Sequence, residues 1–344
     1  MWWWLWWLWL FLFVLIVLIA CCSGIALYVG WQLTHPKRKT VDDSPDRYGL
    51  TYEPISFASR SKDVRLQGWF IPALTPPAKM TLILAHGYAG TRLELGLPML
   101  AFAKDLISEE FQVVMFDFRN CGESEGTMTT VGYHEKQDLL GAIDWVKEKE
   151  PSQPIGLIGY SMGAATSILA AGEEPDVMGV VADSPFHRLT PYVRDNLPVW
   201  SGLPHFPFTA LILRLLPPIM KVSPDDVDVQ AAAERIYPRP ILFIHSEHDE
   251  AIPYTESKRM FECHSDMFSY WQTSGAQHVG SYAKSPQLYV GKVKRFLIII
   301  FWKKMKRIIE EDRLPLAMIK QLKKLKFLTG LSLTCLDEHG TIHG

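Results

Sequence analysis

The first 36 residues of this 344-residue chain contain no Asp, Glu, Lys or Arg. A stretch that long without charge is not a solvated surface helix or a polar linker. A cleaved secretory signal is the rival reading, but it wants a basic segment ahead of its apolar run, and none is present. The same lack counts against Leu18-Ile19-Ala20-Cys21 as a lipoprotein-type cleavage box. Elsewhere the formal net charge is only −2, which gives no basic footprint for nucleic acid. The five cysteines are an odd count with no framework spacing; Cys21 and Cys22 lie in the apolar N-terminal segment, and Cys121, Cys263 and Cys335 read as free thiols. No His/Cys/Asp/Glu cluster has metal-ligand spacing, so no metal site is expected. No internal repeat occurs, which argues against a solenoid.

What the first segment does have is length and aromatic ends. Residues 2–29 suffice to cross a bilayer as a helix. Trp2, Trp3, Trp4, Trp6, Trp7 and Trp9 crowd one end, and Tyr28 and Trp31 mark the other. Aromatic side chains favour the two membrane interfaces, and Trp9 to Trp31 as a helix rises roughly 33 Å, about one hydrocarbon thickness. Residues 1–36 are therefore expected to be a single-pass membrane anchor. Lys37, Arg38 and Lys39 follow at once, which by the positive-inside rule places the rest of the chain in the cytoplasm. Residues 37–50 read as a polar linker.

The densest chemical signal lies at Ile155-Gly156-Leu157-Ile158-Gly159-Tyr160-Ser161-Met162-Gly163, a short apolar run ending in G-x-S-x-G. A strand that stops, turns sharply and enters a small-residue helix holds a serine at its apex as a nucleophile. Gly159 and Gly163 leave the space that such a turn requires. A serine hydroxyl needs a base to take its proton, and the base needs an acid to orient it. In the order Ser, acid, His, the acid belongs in the loop after Ile241-Leu242-Phe243-Ile244-His245. Asp249 is chosen there, with Glu247 and Glu250 near enough in sequence to be confused with it. The base belongs after the last strand, where His278 stands in the glycine-bordered loop Gly275-Ala276-Gln277-His278-Val279-Gly280. Of the other histidines, His245 reads as a local packing or bonding residue, and His187 as a surface or capping residue. The oxyanion of an acyl-transfer intermediate needs two backbone N–H donors. Met162, the residue after the nucleophile, is assigned one. Tyr88, in His86-Gly87-Tyr88-Ala89-Gly90 after an apolar strand, is assigned the other.

Strands are expected over 52–58, 64–70, 80–85, 112–117, 155–160, 178–183, 241–245 and 267–272, the first pair forming an antiparallel edge. Helices are expected near 92–107, 134–149, 162–171, 254–262 and 285–302. That alternation implies a mostly parallel sheet covered by helices. From 303 to 326 there are nine basic and three acidic residues. Met318, Leu322 and Leu325 share a helical face there, so 303–344 reads either as a basic amphipathic tail able to lie on an anionic membrane surface or as a solvated helix or frayed extension.

These features together resemble the α/β-hydrolase superfamily over about residues 50–302. The chain looks most similar to membrane-anchored bacterial and Bem46-like serine hydrolases, whose folds are close to prolyl-aminopeptidase-like peptidases. Val113-Val114-Met115-Phe116-Asp117-Phe118-Arg119-Asn120-Cys121-Gly122-Glu123-Ser124 is similar to the family's D-x-R-G-x-G-x-S strand and turn, with Asn120 in place of the first glycine. Ala182-Asp183-Ser184-Pro185-Phe186 is a further mark. Asp117, Arg119 and Ser124 read as residues that pin a loop. The resemblance implies an eight-stranded, mostly parallel sheet over 51–302, with a small cap at about 187–237. That segment is rich in apolar residues such as Trp200, Phe206, Ile212 and Leu216. It further implies hydrolysis of an ester, or of an amide, without a cofactor. The expected substrate is a small or lipid-like ester. A serine peptidase and a non-catalytic membrane scaffold are the alternatives, and the oligomeric state is open. No triad candidate lies in 1–36, so removing those residues is expected to release an active domain.

Overall fold

Three consecutive six-residue runs, Met80–Ala85, Phe111–Phe116 and Ile155–Tyr160, are buried at every position. Strands without polar alternation need cover on both faces, and a parallel sheet between helices supplies it. The structure is a computed structural model and describes residues 3–310 with the exception of Leu95; the basic tail beyond 310 lies outside the described residues. The chain falls into two compact units, Met1–Leu297 and Ile298–Gly344. Of the second, the described part is the end of one long helix.

The order along the chain is α1 (Trp3–Thr34), β1 (Glu53–Ala58), β2 (Arg65–Ile71), β3 (Met80–Ala85), α2 (Met99–Ile107), β4 (Phe111–Phe116) and α3 (Glu135–Lys149). Then come β5 (Ile155–Tyr160), α4 (Met162–Glu173), β6 (Val177–Asp183), α5 (Leu189–Ser201), α6 (His205–Met220) and α7 (Val229–Ile236). The last are β7 (Ile241–Ser246), α8 (Thr255–Cys263), β8 (Ser269–Thr273), α9 (Ser281–Lys284) and α10 (Pro286–Glu310). The eight strands form one sheet in the order β1-β2-β4-β3-β5-β6-β7-β8. β2 runs antiparallel to both of its neighbours, and the pairings from β4 to β8 are parallel. The fold is thus the expected α/β-hydrolase arrangement, a mostly parallel eight-stranded sheet flanked by helices. The edge strand β1 alternates between exposed and buried positions over its second half, as a strand solvated on one face does.

Several element boundaries depart from expectation for local reasons. The helix expected from residue 92 starts only at Met99, because Gly96 has φ 76° and Pro98 stands at the helix start. Arg92 instead turns inward: its guanidinium and its N–H both bond Asp117, and Glu123 takes a further bond. The loop after β4 is pinned as its residues suggest. Arg119 forks onto Asp138 and Asp63, and the Ser124 hydroxyl donates to the Asp117 carbonyl at 2.6 Å. Asn120 takes φ 58°, the left-handed conformation of the glycine it replaces, which asparagine tolerates better than most residues. Across the segment expected as a cap, α7 packs against α4 under the sheet, while α5 and α6 form a bent pair at 119°.

Helix α1 is the one helix among the described residues long and apolar enough by itself to cross a membrane. Residues 6–20 are exposed at every position, but Ala26 is fully buried in a cluster with Leu197, Ile212, Leu216 and Met220 of α5 and α6.

Candidate active site

The site is built where β5 ends. Ser161 has φ 53° and ψ −118°, a backbone state few non-glycine residues adopt, and the hydrogen bond from its N–H to the Asp183 carbonyl (2.8 Å) holds it there. The flanking glycines are sterically required. A Cβ at Gly159 would lie 2.3 Å from the Gly163 carbonyl oxygen, and one at Gly163 would lie 2.1 Å from that of Ala85. The turn therefore packs against the end of β3 with no room for side chains. Ser161 itself is buried at the base of a cavity.

Asp249 and His278 arrive from the ends of β7 and β8. The Ser161 hydroxyl lies 2.8 Å from His278 Nε2, and His278 Nδ1 lies 2.7 Å from Asp249 Oδ2. The other carboxylate oxygen, Oδ1, accepts the N–H groups of Ala251 and Ile252, each at 2.9 Å. Of the two competing carboxylates, Glu247 accepts from Gln272 at the surface, so it is turned away from the imidazole. Burial alone would raise the Asp249 carboxyl. Hydrogen bonds from His245 and His278 and the attraction of His278 outweigh it and hold Asp249 well below the usual carboxylate range. His245 bonds locally, as expected: it is fully buried, its Nε2 lies 3.2 Å from Asp249 Oδ2 and 2.9 Å from the Ile252 carbonyl oxygen, and its Nδ1 pairs with the Ser257 hydroxyl. His187, expected at the surface, is buried and paired with Glu256.

Tyr88 and Met162 line the same cavity as Ser161. Met162 is the first residue of α4, where the N–H has no acceptor within the helix. The loop carrying Tyr88 is fixed by His86. Its Nε2 accepts the Phe118 N–H at 3.0 Å, and its Nδ1 donates to the Gly87 carbonyl at 2.7 Å, which makes it a neutral, buried histidine. Burial lowers its pKa, in keeping with that role.

Three features of the site were not apparent in the sequence. Glu94 bonds the Gly87 N–H, and a Cβ at Gly87 would lie 3.1 Å from that carboxylate and 3.5 Å from the Ser161 Cβ. Trp200 of α5 stands edge-on to both Tyr88 and His278, with centroids 6.1 and 6.4 Å away, and its indole N–H donates to the Tyr192 hydroxyl. Tyr192 in turn donates to the Ala251 carbonyl beside Asp249, so the cap is tied to the loop of the acid. Finally, the last turn of α1 reaches the cavity through Gly30, Leu33 and Thr34. None of these has a local motif. Each depends on how distant segments pack.

The cavity is about 160 Å³, with walls that include Phe186, Leu197, Leu213, Leu216 and Ile252. A hydroxyl, an imidazole and a carboxylate in this relay, beside an apolar pocket, can carry out acyl transfer.

Comparison with known proteins supports this fold. A family model described as alpha/beta hydrolase fold matches residues 81–212. The uncharacterized protein YqkD of Bacillus subtilis is 31% identical over 228 residues, 63% of this chain and 70% of that protein. A lysophosphatidylserine lipase, ABHD12 of Danio rerio, is 28% identical over 225 residues, 60% of this chain and 55% of that protein. Among solved structures, the esterase Pf2001 of Pyrococcus furiosus superposes with a TM-score of 0.63 at 26% identity, covering 77% of this chain and 97% of that one. Esterase and lipase relatives support hydrolase activity, and the aligned span of the Bacillus protein, carried on this sheet, shows that the chain belongs to the α/β-hydrolase family.

Proposed function

We propose that this protein is a serine hydrolase that cleaves a carboxylic ester through an acyl-enzyme intermediate. The observation that carries the reading is the relay in which His278 bridges the Ser161 hydroxyl and Asp249 at 2.8 and 2.7 Å, at the base of an apolar cavity. Ser161 Oγ attacks the carbonyl carbon while His278 Nε2 takes its proton. Asp249 holds the Nδ1–H tautomer and stabilises the imidazolium. The N–H groups of Tyr88 and Met162 receive the oxyanion. His278 then returns the proton to the leaving alkoxide. A water, deprotonated by the same imidazole, releases the acid and restores Ser161. Nothing in these steps calls for a cofactor.

On this reading α1 is also a single-pass anchor, with 37–50 as the linker and the hydrolase domain over 51–302 on the cytoplasmic side. The uncharged helix and the three basic residues after it support that topology. Arg38 has a second task, since its guanidinium donates to the carbonyls of Ser124 and Gly126 and so fastens the linker to the loop after β4.

Glu94 favours a second reading. A carboxylate beside Ser161 could pair with a substrate ammonium, as an aminopeptidase requires. Turnover of p-nitrophenyl esters against aminoacyl p-nitroanilides separates the two. Ester turnover well above amide turnover is expected. Amide turnover equal to or above it, and lost in Glu94→Gln, would favour the peptidase. Neither activity, with no labelling by a fluorophosphonate, would leave a non-catalytic scaffold.

A further inference from the structure

The end of α1 is built into the hydrolase rather than merely attached to it. Gly30 faces α6 so closely that a Cβ there would lie 3.0 Å from Leu216 Cδ2 and 3.6 Å from Ile212 Cγ2. One turn on, the Leu33 carbonyl accepts the Tyr88 hydroxyl, and the Thr34 carbonyl accepts the Thr129 N–H at 2.7 Å. Tyr88 is the residue assigned to the oxyanion, and the Thr129 hydroxyl lies 3.7 Å from the Met162 sulfur, the other assigned residue. The same turn, through Gly30, Leu33 and Thr34, lines the cavity that holds Ser161.

Two further observations bear on what fills that cavity. Among its described lining residues none is charged, so the walls suit an aliphatic group and not a charged one. Moreover, the lining turn of α1 lies beside Tyr28 and Trp31, which are 64% and 52% exposed and mark the end of the apolar run. Aromatic residues so placed sit at headgroup level, where the ester linkages of membrane amphiphiles lie. The cap beside α1 adds exposed apolar side chains, Val199, Phe206 and Ile219, of which Phe206 is 85% exposed. That is the surface expected of a cap that rests on lipid, not in water.

We propose that the last turn of the membrane helix is a wall of the substrate site, and that this wall limits the length of the aliphatic chain of a membrane-borne ester. The proposal rests on Ser161 being the nucleophile. Gly30, on α1, and Leu216, on α6, set the depth available to the chain where the two helices cross. The helix therefore determines specificity as well as location.

The test uses the full-length protein in detergent with p-nitrophenyl esters from acetate to hexadecanoate, as wild type, Gly30→Leu and Leu216→Ala. A small fluorophosphonate reports on Ser161 independently. Leucine at position 30 fills the wall, so the ratio of kcat/KM for dodecanoate to that for acetate should fall about tenfold or more, a loss of one or two buried methylenes. Leu216→Ala removes atoms from the same wall and should move the preferred ester to a longer chain. Chain-length profiles that superimpose for wild type and Leu216→Ala, in protein that labels normally, would overturn the proposal and leave the hydrolase reading standing. Wild-type protein that neither labels nor hydrolyses any ester would overturn the hydrolase reading itself. Should Gly30→Leu not fold, the Leu216→Ala profile decides alone.

Discussion

Ser161, Asp249 and His278 could be found in the sequence because each sits in a short local pattern: a G-x-S-x-G turn, a loop after an apolar strand, and a glycine-bordered histidine. Strand-end loops converge on one edge of a parallel sheet, so such residues meet whatever the details of packing. The choice between Asp249 and its neighbours is tested by amide substitution. Asp249→Asn leaves the shape but presents the wrong imidazole face, and should cost up to about 10⁴-fold in kcat. Glu247→Gln should be mild, because Glu247 is exposed and accepts from Gln272 at the surface. The reverse order of effects would reassign the acid. Buried carboxylates with a packing role were not distinguishable in this way. Burial pushes the Asp183 carboxyl up to about 6, against the pull of hydrogen bonds from Tyr289 and Ser184. Its folded pKa thus exceeds its unfolded value near 4. The folded state binds this proton more tightly, and the associated stability is present at pH 4 and lost as pH rises towards 6. Asp183→Asn should remove that dependence. Thermal unfolding from pH 4 to 8 should therefore show wild type losing more Tm than the variant over the lower half of the range, and parallel curves would contradict it.

At the scale of elements, strand ends were legible to within a few residues because apolar runs bounded by turn residues report burial directly. Helix α2 was not, since the residues ahead of it were committed to the Asp117 pair and to a glycine turn. The larger difference concerns α1. An uncharged run identifies a membrane element but not what its end touches. The expectation that removing residues 1–36 releases an active domain rests on the lack of triad candidates there; the structure adds a buried Ala26, a Gly30 packed on α6 and two carbonyls that bond the rest of the chain. Truncation after residue 24 keeps these contacts. Truncation after 36 removes them and leaves apolar surface of α5 and α6 uncovered. The longer truncation should lower stability by about 2 kcal/mol or more, or roughly 4–8 °C in a domain of this size. The shorter truncation should leave Tm near that of the intact chain. Equal Tm for both would mean that α1 is an anchor alone.

For the whole molecule, the proposed reading combines the α/β-hydrolase sheet, the residues around Ser161 and the apolar helix α1 into an enzyme whose site would lie close to a bilayer surface. The sheet was accessible from the alternation of strands and helices. The shared wall of α1 and α6 was not, because it joins segments almost two hundred positions apart. The basic tail would add attraction to an anionic leaflet, about 1 kcal/mol for each Lys or Arg near it. The central claim, that Ser161 is a nucleophile activated by His278, is tested most directly by mapping a fluorophosphonate adduct on the full-length protein by mass spectrometry. The account predicts one adduct, on Ser161, absent in Ser161→Ala and strongly slowed in His278→Ala, with ester turnover falling by on the order of 10³-fold or more in each. An adduct on Ser124 or Ser184, or ester turnover unchanged by Ser161→Ala, would contradict it.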